Sequence, residues 1–304
     1  MSEPDLTTQV GPLLLRSPLI AASGTVGSVV DFAGVADLSV YGAAVAKSVS
    51  PEPWEGRPPP RLAPVGAGML NAIGIQNPGI DRWLAETEPH LAGLPVPVWG
   101  SAVGTTPDEF TRVAKAQEGA GVAAVEINLS CPNLDGHMFA LDPEASAEVV
   151  ASVRHSTSLP LGAKLSPNAL DIAAVAGAVL AAGADFLVLT NTLWGAAIDI
   201  ESRRPLVNHP IAGYSGPPLK PVALRCVVEV HQAFPTAPLV GCGGISSGAD
   251  VVEYLLAGAS AVAIGTAHFA EPKVGKRIAR ELISILHRQR LERLADLIGG
   301  LKLS

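Results

Sequence analysis

The chain has 304 residues, of which 48% are hydrophobic and only 16% are charged, so it can build a large buried core and is not an intrinsically disordered protein. Its formal net charge of −7, without a stripe of basic residues, argues against a nucleic-acid-binding protein. The three cysteines, Cys131, Cys226 and Cys242, are too few for an iron–sulfur cluster and too far apart in sequence for a disulfide framework or a Cys-x-x-Cys metal site. No metal site is predicted.

No targeting segment or membrane span is predicted either. Residues 1–10, MSEPDLTTQV, are acidic and lack the apolar core of a signal peptide. The most apolar window, residues 172–190, is interrupted by Gly-Ala-Asp at 183–185, which predicts a packed helix followed by a strand. We therefore expect a soluble, cytoplasmic protein that binds neither nucleic acid nor membrane.

Eight short apolar runs recur along the chain and predict buried strands. They are LIAASG (19–24), AAVAKS (43–48), VPVWGSAV (96–103), AAVEINLS (123–130), LGAKLS (161–166), FLVLTNT (186–192), PLVGCGG (238–244) and AVAIGT (261–266). Helical patterns lie between them, and those at 106–121, 142–156 and 246–260 open on polar residues typical of helix starts.

Eight strands alternating with helices predict an α/β fold, a (β/α)₈ TIM barrel that forms one domain over residues 1–304. The alternative is a doubly wound open sheet, whose first β–α turn usually carries the pattern G-x-G-x-x-G. The turn ASGTVGS at 22–28 lacks that spacing, which favours the barrel.

Two long connections interrupt the alternation, at residues 48–80 and 193–220. Their Pro, Gly, Trp and Asn content, with little charge, favours ordered loops over a site at the C-terminal face of the barrel. The C-terminal segment 270–304 predicts amphipathic helices that pack outside the barrel, with their basic residues on a solvated face.

Active sites of such barrels form at the C-terminal ends of the strands. Applied to the eight runs, this rule selects Ser23, Lys47, Ser101, Asn128 with Cys131, Lys164, Asn191 with Thr192, Gly243 with Gly244, and Gly265 with Thr266. Turn chemistry explains some of the Ser, Asn and Gly residues, but it does not explain two lysines that directly follow apolar strands. Lysine is almost never buried without a partner, so Lys47 and Lys164 indicate an anionic or electron-rich ligand.

The last two runs end in GCGG and IGT, whose glycines let backbone N–H groups approach an anion. Loops after the seventh and eighth strands are a frequent phosphate site in this fold. The two loops together therefore predict a ligand that bears a phosphate.

Cys131 differs from the other two cysteines, which we interpret as small buried hydrophobes. Pro132 follows it and favours a turn at the end of the strand, so the thiol is presented at the site. It is either a nucleophile, in a set with His137 and Asn133, or a general base near a substrate proton. Spacing alone leaves both roles open.

Motifs along nearly the whole chain identify a family. They are ASG (22–24), AKS (46–48), GMLNAIGIQNPG (68–79), EINLSCPN (126–133), KLSPN (164–168), NTLWG (191–195), SGPPLKPVAL (215–224), GCGGI (241–245) and GASAVAIGTAHF (258–269). With these motifs in this order, the chain resembles the class 1 dihydroorotate dehydrogenases, subclass B in particular.

The resemblance implies an FMN enzyme of pyrimidine synthesis that oxidises (S)-dihydroorotate to orotate, with Cys131 as the base at C5 and hydride transfer from C6 to FMN. The residues implied to bind FMN are Ser23, Lys47, Ser48, Asn128, Lys164, Thr190, Gly216, Gly243, Gly244, Gly265 and Thr266, and Ser101 is added at the third strand end, where subclass B usually carries asparagine. Those implied to bind the substrate are Lys47, Asn71, Ala72, Ile73, Gly74, Ile75, Asn128, Asn133, Asn191 and Thr192.

Subclass B also implies partners: a homodimer, joined by a subunit with FAD and a [2Fe–2S] cluster that passes electrons to NAD, in a heterotetramer. The nearest alternative is a dihydropyrimidine dehydrogenase-like flavin barrel acting on uracil or thymine. A flavin-free phosphate-binding isomerase or synthase would explain the glycine loops but not the asparagines. A cysteine hydrolase would explain Cys131 and His137 but not the two lysines, and a non-catalytic binding barrel would leave the polar strand ends unexplained.

Overall fold

The computed structural model describes residues 3–130 and 138–302. Eight parallel strands close into a barrel, and each strand pairs with the next one along the chain until the last pairs with the first. Numbered in chain order, they are β1 (Leu19–Ala21), β2 (Ala43–Val45), β3 (Val98–Ala102), β4 (Ala124–Asn128), β5 (Leu161–Leu165), β6 (Phe186–Leu189), β7 (Leu239–Cys242) and β8 (Ala261–Ile264). All eight predicted strands and the barrel itself are confirmed.

Helices follow every strand and cover the outside of the barrel. They are α1 (Val30–Ala33), α2 (Ile80–Leu91), α3 (Pro107–Gly119), α4 (Pro143–Ser156), α5 (Ile172–Ala181), α6 (Lys220–Ala233), α7 (Gly248–Leu256), α8 (Ala267–Ala270) and α9 (Val274–Gln289), with 3₁₀ turns at Leu38–Val40, Phe139–Leu141, Pro217–Leu219 and Leu294–Leu297. The predicted starts of α3, α4 and α7 are real N-caps: the side chains of Thr106, Asp142 and Ser247 each accept a backbone N–H of the first turn.

Apolar side chains fill the barrel interior near the N-terminal ends of the strands. Trp99 and Phe186 meet there with ring centroids 5.0 Å apart, and small residues such as Ala43 and Ala261 surround them. An antiparallel hairpin, Thr8–Val10 with Leu13–Leu15, adds Val10 and Leu15 to the same cluster. Because this end of the barrel is packed with hydrocarbon, the polar strand-end residues are confined to the C-terminal mouth.

The two long connections meet in one four-stranded antiparallel sheet. Its strands lie in the order Leu193–Gly195, Ala212–Ser215, Gly68–Asn71, Leu62–Val65. A second small ribbon pairs Ile198–Asp199 with Arg204–Pro205. The prediction of ordered loops is thus confirmed, whereas the sheet was not predicted, because its strands are only three or four residues long and contain Gly and Pro.

The apolar window at 172–190 divides as predicted, into helix α5 and strand β6. Within the described residues no helix is both long and apolar enough to span a membrane. Helix α9 packs on the barrel through Ile278, Leu282 and Leu286, all fully buried, which confirms the amphipathic C-terminal helix.

Candidate active site

A cavity of about 950 Å³ opens at the C-terminal ends of the strands. Strand ends of the barrel form its floor, and both long connections contribute to its walls. Ligand and cofactor sites commonly occupy about 300–1,000 Å³. The space is therefore large enough for a cofactor together with a small substrate.

The structure brings most of the sequence-predicted residues to this one cavity. The lining includes Ser23, Lys47, Ser48, Asn71, Ala72, Ile73, Gly74, Ile75, Asn128, Lys164, Thr190, Asn191, Thr192, Gly216, Gly243, Gly244, Gly265 and Thr266. Cys131, Asn133 and His137 lie outside the described residues. Ser130 and Met138, the described residues on either side of that segment, both line the cavity.

Ser101 is the one predicted cofactor residue in the described ranges that does not line the cavity. Its side chain is fully buried, and its Oγ lies 2.9 Å from Ser48 Oγ. Ser48 Oγ in turn accepts a hydrogen bond from Asn128 Nδ2 at 3.2 Å. Ser101 thus contacts Ser48, which does line the cavity, and its assignment to the cofactor stays a prediction.

Lys164 is buried at the cavity floor beside a carboxylate. The register of β4 and β5 places Lys164 opposite Asn128, with Glu126 two residues back on the same face. Lys164 Nζ donates to Glu126 Oε1 at 3.3 Å. Burial alone would lower the pKa of Lys164, but the negative charge of Glu126 outweighs it and holds this pKa above its usual value.

Lys47, just after β2, is half-buried, and among the described residues no carboxylate pairs with its Nζ. Burial, reinforced by the nearby charge of Lys164, lowers its pKa from 10.5 to about 8. Lys47 has lost part of its hydration without gaining a negative partner among the described residues, and an anionic ligand in the cavity would supply that partner.

Three asparagines present amide groups to the cavity and are held by one another or by backbone. Asn191 Nδ2 donates to Asn128 Oδ1 at 3.3 Å, and Asn71 Nδ2 donates to the carbonyl of Gly213 at 3.2 Å across the four-stranded sheet. Amides retain further donors and acceptors after such bonds. The cluster can therefore recognise a planar ligand with amide-like edges.

Backbone conformation and close packing require glycine at positions 243 and 244, just after β7. Gly243 and Gly244 have φ of +144° and +69°, and a Cβ would lie 2.6 Å from Ala223 Cβ and from Lys220 N respectively. No acceptor is found among the described residues for the N–H groups of Gly244 and Ile245. Two free N–H groups at the cavity wall suit an anion such as phosphate.

Gly265, after β8, is different, because a Cβ there would meet only Ala22 Cβ at 3.8 Å and Thr25 Cγ2 at 3.9 Å. We expect Gly265→Ala to leave the unfolding free energy within about 0.5 kcal/mol of wild type but to weaken cofactor binding at least about tenfold, since the new methyl points into open cavity. Titration of the ligand-free protein with FMN, followed by flavin fluorescence, measures the second effect.

Gly244→Ala is the comparison, and it should destabilise the fold itself because its Cβ meets backbone at a strained φ. Gly119→Ala, at an exposed helical position with open space around the new methyl, is the control: it should leave FMN affinity unchanged and leave stability equal or raise it by up to about 1 kcal/mol. Unchanged FMN affinity in Gly265→Ala would contradict the placement of the cofactor against this glycine.

Sequence reasoning missed several residues of the cavity, above all Glu126, Arg277 and Cys242. Glu126 had a usable signal, since it is a carboxylate inside an otherwise apolar strand. Arg277 belongs to the basic face predicted to be solvated; instead it lines the cavity, forms ion pairs with Glu271 and Glu281, and donates to the carbonyl of Ser246. Nothing local in the sequence marks it, because α9 reaches the site only through the tertiary fold.

Comparison with known proteins gives a consistent family assignment. The chain is 45% identical over 306 aligned residues to the dihydroorotate dehydrogenase B (NAD(+)) catalytic subunit of Geobacter sp. (strain M21), with 100% of both chains covered. It is 44% identical to the protein of the same name from Desulforudis audaxviator, covering 96% of this chain and 95% of that one.

The fold comparison agrees. The crystal structure of DHODH from Eimeria tenella, in complex with ferulenol, superposes with a TM-score of 0.82 at 22% identity, and covers 98% of this chain and 89% of that one. That likeness shows the shared barrel fold. The family model for dihydroorotate dehydrogenase matches residues 5–286. The chain therefore belongs to the dihydroorotate dehydrogenase family, a family of enzymes.

Proposed function

We propose that the chain is the FMN-binding catalytic subunit of a class 1, subclass B dihydroorotate dehydrogenase, which oxidises (S)-dihydroorotate to orotate for pyrimidine synthesis in the cytoplasm. Residues 1–304 would act as one FMN-binding barrel domain. The observation that carries the proposal is the unpaired ammonium of Lys47, which lies in one cavity with the amides of Asn71, Asn128 and Asn191. Orotate offers the matching groups: a carboxylate and a ring with amide edges.

The residues present fit FMN. The free N–H groups of Gly244 and Ile245 suit the phosphate, and the open face of Gly265 leaves room beside it. Lys164, charged and fixed by Glu126, would stabilise negative charge on the reduced ring. The chemistry that the bound flavin supplies is acceptance of the hydride from C6 of dihydroorotate.

Substrate orientation is assigned to Lys47 and the asparagines. The ammonium of Lys47 would pair with the carboxylate, and the amides would hydrogen-bond the ring edges. Asn191 and Asn128 are already linked at 3.3 Å, so the two amides are oriented before the substrate enters. This preorganisation favours a single ring orientation.

Cys131 is proposed as the general base that removes the C5 proton while hydride leaves C6. The assignment rests on the sequence EINLSCPN, since Cys131 itself lies outside the described residues. Two observations on the preceding residue support it: Ser130 lines the cavity, and its backbone N–H donates to Asn128 Oδ1 at 3.2 Å. The residue that precedes Cys131 therefore lies beside Asn128, one of the amides proposed to bind the substrate.

The relatives named above are catalytic subunits, which implies a separate partner subunit for those proteins. For this chain we propose a homodimer that associates with a subunit carrying FAD and a [2Fe–2S] cluster, in a heterotetramer. The chain's three cysteines are too few to hold such a cluster, so electrons destined for NAD would leave through the partner.

We expect the chain purified alone to show flavin reduction by dihydroorotate but negligible NAD reduction. Anaerobic mixing with dihydroorotate, followed by addition of NAD, separates the two half-reactions by flavin and NADH absorbance. Addition of the partner subunit is the positive control. Rapid NADH formation by the chain alone would contradict the proposed electron path.

A further inference from the structure

Two lysines share the cavity but differ in their surroundings. The side chain of Lys164 is 8% exposed and that of Glu126 is 2% exposed, and their Nζ–Oε1 distance is 3.3 Å. Lys47, at the end of β2, has no acidic partner among the described residues. Considering the described residues alone, the cavity therefore contains one ammonium group paired with a carboxylate and one that is not.

The pairing accounts for the opposite pKa shifts of the two lysines. Burial disfavours the charged form of both, and the charge of Lys164 further lowers the pKa of Lys47. Lys47 shows the outcome when nothing offsets this, because its pKa falls to about 8. For Lys164 the adjacent carboxylate reverses the direction of the shift.

We propose that Glu126 is a positioning residue for the reaction: its carboxylate holds Lys164 as a charged, oriented ammonium group at the cavity floor and leaves Lys47 to bind the negative charge of the substrate. The inference rests on the proposed function only for the identity of the ligands. The contact between Glu126 and Lys164 and its effect on protonation are properties of the chain itself.

The groups that face Lys164 come from three elements. Glu126 lies on β4, Cys242 on β7 and Lys47 at the end of β2. Burial raises the pKa of the Cys242 thiol, so the thiol is neutral at ordinary pH. Among the described residues Glu126 is therefore the anion that keeps Lys164 protonated.

The test is the titration of Lys164 followed by NMR of side-chain Nζ and Cε signals in lysine-labelled protein, with the Lys164 signal assigned by its loss in Lys164→Met. In Glu126→Gln, which keeps the shape and removes the charge, we expect the titration midpoint of Lys164 to fall by about 1–3 pH units. Glu126→Asp, which keeps the charge, should restore most of the shift. In the flavin-bound protein, Glu126→Gln should add a new break to the pH dependence of the flavin midpoint potential.

An unchanged midpoint for Lys164 in Glu126→Gln would overturn the proposal. If Glu126→Gln does not fold, the double variant Glu126→Gln with Lys164→Met is tested instead. A folded double variant would support the proposal. A double variant that still fails to fold would show that the fold needs Glu126 independently of Lys164, which would overturn it. Because the titration needs no dihydroorotate, a wrong substrate assignment would leave its outcome intact.

Discussion

Replacement of Cys131 by alanine is expected to leave FMN bound and to slow flavin reduction by dihydroorotate by about 10²–10⁴-fold, the usual contribution of a positioned general base. The physical reason is that, in the proposed reaction, Cys131 would accept the C5 proton as hydride leaves C6, and alanine cannot accept a proton. Anaerobic stopped-flow absorbance of the flavin measures the rate directly.

Cys226→Ala is the matched control, because Cys226 is fully buried on α6 and does not line the cavity. It should reduce its flavin at nearly the wild-type rate. Cys131→Ala with undiminished flavin reduction would rule out the base assignment, and loss of FMN from that variant would point to a structural role instead.

Lys47→Met is expected to have effects of opposite sign on stability and on binding. A half-buried ammonium without a partner among the described residues costs free energy in the ligand-free protein, and a pKa lowered from 10.5 to about 8 sets the limit of that cost at ~3 kcal/mol. We expect the ligand-free variant to be more stable by about 1–3 kcal/mol in chemical unfolding. Its affinity for orotate should fall about 10- to 100-fold, since a charged hydrogen bond is lost.

The pH dependence of this stability gap follows from the same pKa. Between pH 8 and 10.5 the unfolded chain still holds the Lys47 proton that the folded chain has released, so wild-type stability rises relative to Lys47→Met. The difference in unfolding free energy between Lys47→Met and wild type should be largest below pH 8 and should fall toward zero as the pH approaches 10.5. Lys115→Met, at an exposed position of α3, should change neither stability nor affinity. A less stable Lys47→Met protein would contradict the view that Lys47 is unpaired.

Most of the fold follows from short-range patterns. Apolar runs such as 186–192, which are buried on both faces, indicate parallel strands, and capping residues such as Thr106 and Asp142 place the helix starts. The four-stranded sheet over the mouth could not be predicted in this way. Its two central strands pair residues about 140 positions apart, as Asn71 with Gly213, and their register depends on tertiary packing.

The site shows the same division. Strand-end residues such as Lys47, Lys164 and Asn128 could be selected because the barrel fixes where strand ends meet. The ion-pair partners of these residues could not be predicted. Among the described residues Lys164 pairs with a carboxylate and Lys47 does not, and this depends on strand register and on side-chain direction. The contact of Ser101 with Ser48, rather than with the cavity, could not be predicted for a related reason, since a strand-end position does not tell whether a residue lines the cavity itself.

The central claim is that this barrel is a flavoprotein that oxidises dihydroorotate, and the visible absorption spectrum of the purified chain under anaerobic conditions tests it most directly. We expect a yellow protein whose oxidised-flavin absorbance is lost on addition of dihydroorotate and is unaffected by dihydrouracil. A colourless protein that does not take up FMN, or a flavin reduced by dihydrouracil but not by dihydroorotate, would contradict it.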